Sequence, residues 1–489
     1  MVFKPTAKKT VQFEALIVQT KKKFQMSTSF TPSPKLRRVY SSMGGRRFAL
    51  ANQQAKSWPS IYCFPSYTVT VIVCELRKKK MMVVNLFSHF AVVLSLVMTA
   101  HLSYATGDGF EVTKQLNRLN KPSVKSIKSP DGDIIDCVPI SNQSAFDHPS
   151  LKNHKIQMKP SSHPQGLNYE SMQVSSEKHE KITQLWHSKG NCPKGTIPVR
   201  RTKKEDILRA SSINKYGKKT SQSIGAHPSS TVEIDAIDLS RHEYATAYTA
   251  DGEFYGAKAT INLWDPQIQQ SDEFSLSQIW VEGGSYPDLN TIEVGWQVFP
   301  NLYGDSNTRL FTYWTSDGYQ ATGCYNLLCS GFIQINNEIA FGGSISPISE
   351  YQGSQHDLSI LVYKDRKQGN WWMQIGNGKV VGYWPASLFT YLSNSATRTR
   401  WGGEVINLAS GGRHTTTQMG SGHFPGEGFG KASYCRNVQI VDGSNTLRVP
   451  KDVHPYSPKP NCYDVQTGQN DAWGSYIFYG GPGRNPNCP

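Results

Sequence analysis

Beyond residue 80 the 489-residue chain lacks a charge surplus of either sign. Residues 1–80 hold sixteen of the 52 Lys/Arg and two of the 37 acids, Glu14 and Glu75, which leaves 36 basic and 35 acidic residues in 81–489. The formal net charge of +15 therefore belongs to a leader, and it gives no support for a nucleic-acid partner of the folded body. No HExxH occurs. The run HEYATAY from His242 lacks the second histidine, which argues against a zinc protease of that kind. No GxSxG is present, so a serine hydrolase elbow is absent. His414 and His423 form a weak metal pair without a third ligand, and no metal or other cofactor is expected. The most apolar run, residues 90–98, is too short to cross ~30 Å of hydrocarbon, so stable membrane insertion is not expected. Helical periodicity is scarce as well, and PASLFTYL over 385–392 is the one stretch that reads as a short helix.

What is present begins with targeting. RKKKMMVVNLFSHFAVVLSLVMTAHLSYA, residues 77–105, has a basic start, an apolar centre and small residues at Ser103 and Ala105. These are the parts of a secretory signal cut after Ala105. Residues 81–105 are thus expected to be a signal peptide, with Met81 or Met82 as the translation start. The basic, Ser-rich residues 1–80 then read as an extension of the gene model or as a transit peptide. Secretion to the exterior or apoplast is expected, with the vacuole as an alternative. Secretion implies disulfides among the seven later cysteines. Cys324 and Cys329 are five apart, Cys462 and Cys488 could staple the C-terminal tail, Cys137 and Cys192 could pair ahead of the main domain, and Cys435 is left over. Asn142, in NQS, is the one glycosylation sequon found after the signal.

Two regions follow. Residues 106–230 hold twenty Lys/Arg and eleven acids, net +9, and residues 231–489 hold sixteen and twenty-four, net −8. Opposite net charges on one chain should attract, so the first region is expected to dock on the second until acid weakens the attraction. A cut is expected in YGKKTSQSIGAHPSSTVEID, residues 216–235, whose composition suggests an exposed loop. The second region is rich in Gly, Trp, Tyr, Ile and Val in short alternating runs, and Asn377-Gly378 in QIGNGKVVGYWP is a strong hairpin signal. Gly376, Gly378 and Gly382 read there as turn glycines. The expected fold is all-β: an antiparallel β-sandwich preceded by a small propeptide domain.

In LNTIEVGWQVFP, residues 289–300, Ile292, Val294, Trp296 and Val298 alternate with Thr291, Glu293, Gly295 and Gln297. This is a strand with one apolar face and a carboxylate in mid-strand on the other. A second isolated carboxylate, Glu404, follows two glycines in RWGGEVINL, and Gln278 shares a face with Trp280 in SQIW. Two carboxylates held together can divide labour, one staying ionised to activate a water and the other holding a proton for the leaving group. An amide such as Gln278 could steady the oxyanion. The same pair could serve a glycosidase, and a sandwich lined by Trp and Tyr could instead bind wall polysaccharide without catalysis.

TIEVGWQVFPNLYGDSNTRLFTYWTSDGYQATGCYNLLCSGFIQ, RWGGEVINL and TTQMGSGHFPGEGFGKASYCRNVQIVD resemble the neprosin-type glutamic peptidases of plants. DIIDCVPISNQSAFDHPSLKNHKIQ and CPKGTIPVRRTKKEDILRA are similar to the activation peptide of that family. The resemblance implies a latent precursor whose propeptide inhibits it, and a two-glutamate endopeptidase acting on peptides or proteins at acid pH. A post-proline preference is associated with the family. It assigns catalysis to Glu293 and Glu404 and a supporting role to Gln278. The departures are the 80-residue leader and the odd Cys435.

Overall fold

The computed structural model describes residues 109–167, 183–219 and 241–489. The leader, the signal segment and residues 220–235 of the expected cleavage stretch lie outside the described residues.

A helix over 109–119 opens the described chain. It is followed by β1 (Lys125–Lys128), β2 (Ile134–Pro139), β3 (Thr183–Gln184) and β4 (Thr196–Arg200), and then by the helix Lys204–Arg209. Strands β1, β2 and β4 form a three-stranded antiparallel sheet. Cys137–Cys192 links its middle strand to the segment before β4, with Cα atoms 5.4 Å apart.

The main body starts with β5 (His242–Thr249), β6 (Gly256–Asn262), β7 (Ser275–Gly283), β8 (Asn290–Val298) and β9 (Arg309–Thr315). Short β10 (Ile333–Gln334) and β11 (Ile345–Ser346) precede β12 (Asp357–Lys364), β13 (Trp371–Ile375), β14 (Lys379–Trp384) and β15 (Arg398–Ile406). The chain ends with β16 (Ser433–Val441), β17 (Leu447–Arg448), β18 (Val453–Tyr456), β19 (Asp464–Asn470) and β20 (Gly474–Gly480). Two antiparallel sheets result. One has the order β18-β5-β15-β7-β8-β9, and the other β10-β14-β13-β12-β6-β16-β20-β19, with β17 on β16. The expected all-β sandwich is what the chain forms.

The alternation in β8 decides which face goes where. Ile292, Val294, Trp296 and Val298 enter the main core with Ile279, Val281, Trp401 and Val405 from β7 and β15, and with Trp371, Trp372 and Trp384 from the second sheet. Each such side chain taken fully from water contributes ~1.5–3 kcal/mol, so the seam between the sheets supplies much of the stability. Thr291, Glu293, Gly295 and Gln297 take the opposite face. They are buried too, because the N-terminal segment covers that face: Val112, Leu119, Ile207 and Tyr216 pack in one apolar cluster with Leu276, Trp280, Phe311 and Tyr313.

Of the local expectations, the hairpin is met and the short helix is not. The hairpin at Asn377-Gly378 forms between β13 and β14, with Ile375 opposite Lys379 and a three-residue loop whose Gly376 and Gly378 both have positive φ. PASLFTYL makes only one 3₁₀ turn, Ala386–Leu388. The amides of Tyr391 and Leu392, which would continue a helix, donate instead to the Asn290 side chain. The convincing helical turns lie elsewhere, at 109–119 and Lys204–Arg209. The glycines before Glu404 make room for protein, not for a bound molecule: a Cβ on Gly402 would strike the β5 backbone and one on Gly403 would strike Met419.

Candidate active site

Strand pairing brings the two glutamates to one sheet face. Glu293 on β8 lies opposite Trp280 on β7, which lies opposite Arg400 on β15. Glu404 stands two same-face positions along β15 from Arg400, and Gln278 lies between the two glutamates on β7. Both carboxylates are buried. Each meets the ammonium of Lys219: Nζ is 2.6 Å from Glu293 Oε2 and 3.4 Å from Glu404 Oε2.

Their other partners differ. Glu293 accepts from Gln278 Nε2 at 2.9 Å, Thr291 Oγ1 at 3.0 Å and the Tyr319 hydroxyl at 2.6 Å. Every one of these groups donates to the carboxylate. Thr291 reaches Glu293 by the period of the strand, two residues back on the same face. Tyr319 reaches it from the β9–Cys324 loop, where its backbone is left-handed at φ 65°, a conformation that costs ~1 kcal/mol or more in a non-glycine residue. Asp317 holds that loop by accepting from Thr322 and from the amides of Ala321 and Thr322. Glu404 pairs with His242 Nδ1 on β5. Burial alone would raise the Glu404 pKa, but Lys219 and His242 outweigh it and hold it at about 2 against an ordinary 4.5. Lys219 shows the reciprocal effect. Burial would lower its pKa, and the two glutamates raise it above its usual value.

Lys219 is fixed at both ends of its reach. Its amide donates to the Tyr313 hydroxyl at 3.2 Å, and Nζ lies 5.4 and 5.6 Å from the ring centroids of Tyr313 and Tyr319. Just before it, Gly217 O accepts from the amide of Tyr325 at 2.8 Å, inside the loop closed by Cys324–Cys329. Gly217 has φ +75° and passes so close to Leu328 that a Cβ would meet it at 2.8 Å. The start of the stretch expected to be an exposed loop is therefore seated in the site: Tyr216 and Lys219 are buried, and only Lys218 is exposed.

Docking of the N-terminal segment does not follow the net charges. Among the described residues, ion pairs from 106–219 to the main body are those of Lys219 and the pair Asp133–Arg309, whose signs are reversed relative to the regional totals. The rest of the hold is specific. Strand β3 pairs with β11, the Gln143 side chain accepts from and donates to the Gln334 backbone, and Ser161 and Ser162 donate to Asp365.

The remaining sequence candidates are placed as follows. Cys324–Cys329 and Cys462–Cys488 are disulfides, and Cys435 is a buried thiol whose pKa burial pushes up to about 12. Asn142 lies in a 3₁₀ turn at the surface. His414 contacts Glu243 beside the Cys462–Cys488 bond, whose sulfurs are taken, while His423 pairs with Glu427 and stacks on Tyr351. Sequence reasoning missed Lys219, Tyr319, Thr291 and the role of His242. The strand period pointed to Thr291.

The fold and site define a class: a two-sheet β protein with a buried pair of carboxylates under a cover formed by its own N-terminal segment. The chain belongs to the neprosin family. Residues 126–248 match the neprosin activation peptide and residues 271–482 match neprosin, together about two thirds of the chain. Among solved structures, scytalido-glutamic peptidase with a peptide-based transition-state analogue is 12% identical over 49% of this chain and 98% of its own, at a TM-score of 0.29. SCP-B, of the eqolisin family of peptidases, in complex with the tripeptide Ala-Ile-His, is 11% identical over 48% and 96%, at 0.28. The CBM40 of Ruminococcus gnavus IT-sialidase bound to α2,6-sialyllactose is 10% identical over 33% and 76%, at 0.18. Among the described residues, no helix is long and apolar enough to cross a membrane.

Proposed function

We propose that the chain is the precursor of a secreted glutamic endopeptidase that cuts peptide bonds at acid pH, with a preference after proline as in its family. The observation that carries this reading is the sharing of one buried ammonium by two carboxylates from separate strands. A water at the position of Lys219 Nζ could donate to both. Glu293, oriented by three donors besides Lys219, takes the water proton as the oxygen attacks the peptide carbonyl. Glu404 carries the proton in the working state. It polarises the carbonyl and then passes its proton to the leaving amine. The second N–H on Gln278 Nε2 can face the developing oxyanion. Lys219 blocks this arrangement in the precursor by occupying the place of the water. The test is to offer the matured protein a peptide library with proline scanned through it, alongside wall polysaccharides and glycosides, at pH 3–5. Peptide cleavage is expected. Retention of polysaccharide with no peptide cut would overturn the reading in favour of a binding module, and hydrolysis of glycosides in favour of a glycosidase.

Acid should release the cover in two stages. His154, whose Nε2 lies 2.8 Å from the Tyr383 hydroxyl across the interface, has its pKa lowered from 6.5 by burial. A base depressed by docking has no effect on it above 6.5, where both forms are neutral, and opposes it increasingly as pH falls below that. Of the two groups that depress the Glu404 carboxyl, Lys219 is the larger cause and the one that belongs to the cover, so the support this pair lends to docking is full above ~4.5 and drains away as pH falls below it. Purified precursor incubated from pH 3 to 7 should stay intact at 7, begin to process below ~6 and process fastest below ~4.5. Because the Lys219 pairs are buried, added salt should shift this profile little. Size on a gel and peptidase activity report the outcome, and processing fastest at pH 7 would contradict it.

A further inference from the structure

Arg400 is the largest polar group on the site face that the mechanism above leaves unused. It is fully buried, yet Nε, Nη1 and Nη2 all lack a hydrogen-bond acceptor. Glu282 lies at ion-pair distance, with Oε1 3.3 Å from Nε, but outside hydrogen-bond alignment, and that oxygen is itself without a partner. The guanidinium sits near the rings of Tyr248 and Tyr456, with centroids 5.6 and 5.7 Å away. A buried guanidinium with five unused donors is costly unless an acceptor arrives in the working state.

The register says what could supply one. Tyr248, Arg400, Trp280, Glu293 and Tyr313 form one row across the sheet, all on the site face. The Gly217–Lys219 segment enters this row from the Tyr313 end, and Trp280 packs in the same apolar cluster as Val112, Leu119 and Tyr216 of the cover. When the cover leaves, the Arg400 end of the row becomes the continuation of the cleft beyond the glutamates. Arg400 is two strands from Glu293, ~10 Å, which an extended peptide spans in about three residues. Charge on this side is already balanced, since Glu282 faces Arg400 and Asp251 pairs with Arg398. A neutral acceptor therefore fits better than a carboxylate.

We propose that Arg400 is a substrate-positioning residue that clamps main-chain carbonyl oxygens of the peptide about three residues from the bond being cut. This rests on the peptidase reading. The test uses matured wild type, Arg400→Lys and Arg400→Met on peptides sharing one cleavable core and extended stepwise from each end, with kcat and KM measured separately. Wild type should gain ~10- to 100-fold in kcat/KM when the extension on one side reaches the third residue, the range for hydrogen bonds to a charged group. Both variants should lose that gain, chiefly through KM, while cleaving the short peptides as wild type does. Arg400→Lys keeps the charge opposite Glu282 but not the planar fork, so it decides the question if Arg400→Met fails to fold. An equal loss at every length, or no loss at any, overturns the clamp alone. A wild type that cuts no peptide overturns the peptidase reading and the clamp with it.

Discussion

Glu293→Gln and Glu404→Gln should each lower kcat/KM of the matured protein by ~10³-fold, the scale of losing one positioned acid or base. The fold should survive. Glutamine fills nearly the same space, and at Glu293 its carbonyl oxygen can still accept from Thr291 and Tyr319, while its amide nitrogen takes the place of the oxygen that accepted from Gln278. What it cannot do is take a proton from water. At Glu404 the amide can still contact His242 but cannot protonate a leaving nitrogen. Kinetics with melting curves on the same preparations check this. A folded variant keeping more than a tenth of the wild-type rate would remove that residue from the chemistry.

Lys219→Met in the full precursor should have a comparable effect on latency. It leaves two buried carboxylates facing each other without their shared cation, and removing one partner of a buried ion pair typically costs ~3–5 kcal/mol. The docked state should weaken by ~10²- to 4 × 10³-fold as an equilibrium. The variant should then process at pH 6–7, where the wild type stays intact. Uptake of a proton by one glutamate would relieve part of the repulsion, so the loss should be larger at pH 7 than at pH 4. Limited proteolysis of the precursor and its rate of self-processing measure this. A variant as latent as wild type at neutral pH would show that the strand pairing and side-chain anchors hold the cover without the plug.

The fold was legible because its signals are local. Alternation in residues 289–300 gave the strand, its core face and the odd position of Glu293, and Asn377-Gly378 gave a hairpin. The meeting of Glu293 with Glu404 was not local: the residues offered the pair only as one reading among several, and the family resemblance singled it out. Lys219 was illegible for a physical reason. In YGKKTSQS its neighbours read as solvated loop, and nothing nearby signals that Gly217 can slip past Leu328 and deliver the next-but-one side chain into a cleft. Regional charge misled in the same way. Net +9 on net −8 suggested a diffuse attraction, whereas among the described residues the interface has only a few ion pairs, one with its signs reversed. The short helix at 385–392 failed because the side chain of Asn290, about a hundred positions away, takes the amides that a helix needs free.

Among the described residues the disulfides respect the same division. Cys137–Cys192 lies wholly in the cover, and Cys324–Cys329 and Cys462–Cys488 lie wholly in the main body. Among the described residues, no disulfide spans the stretch between Lys219 and His242. While the chain is whole, the plug is a tethered ligand at an effective concentration of order millimolar, and dilution cannot loosen it. One cut in that stretch makes the cover a free molecule, and its hold then depends on how much of it is in solution. The same contacts that keep the precursor silent at any dose would, after the cut, give an inhibitor that is washed out by volume.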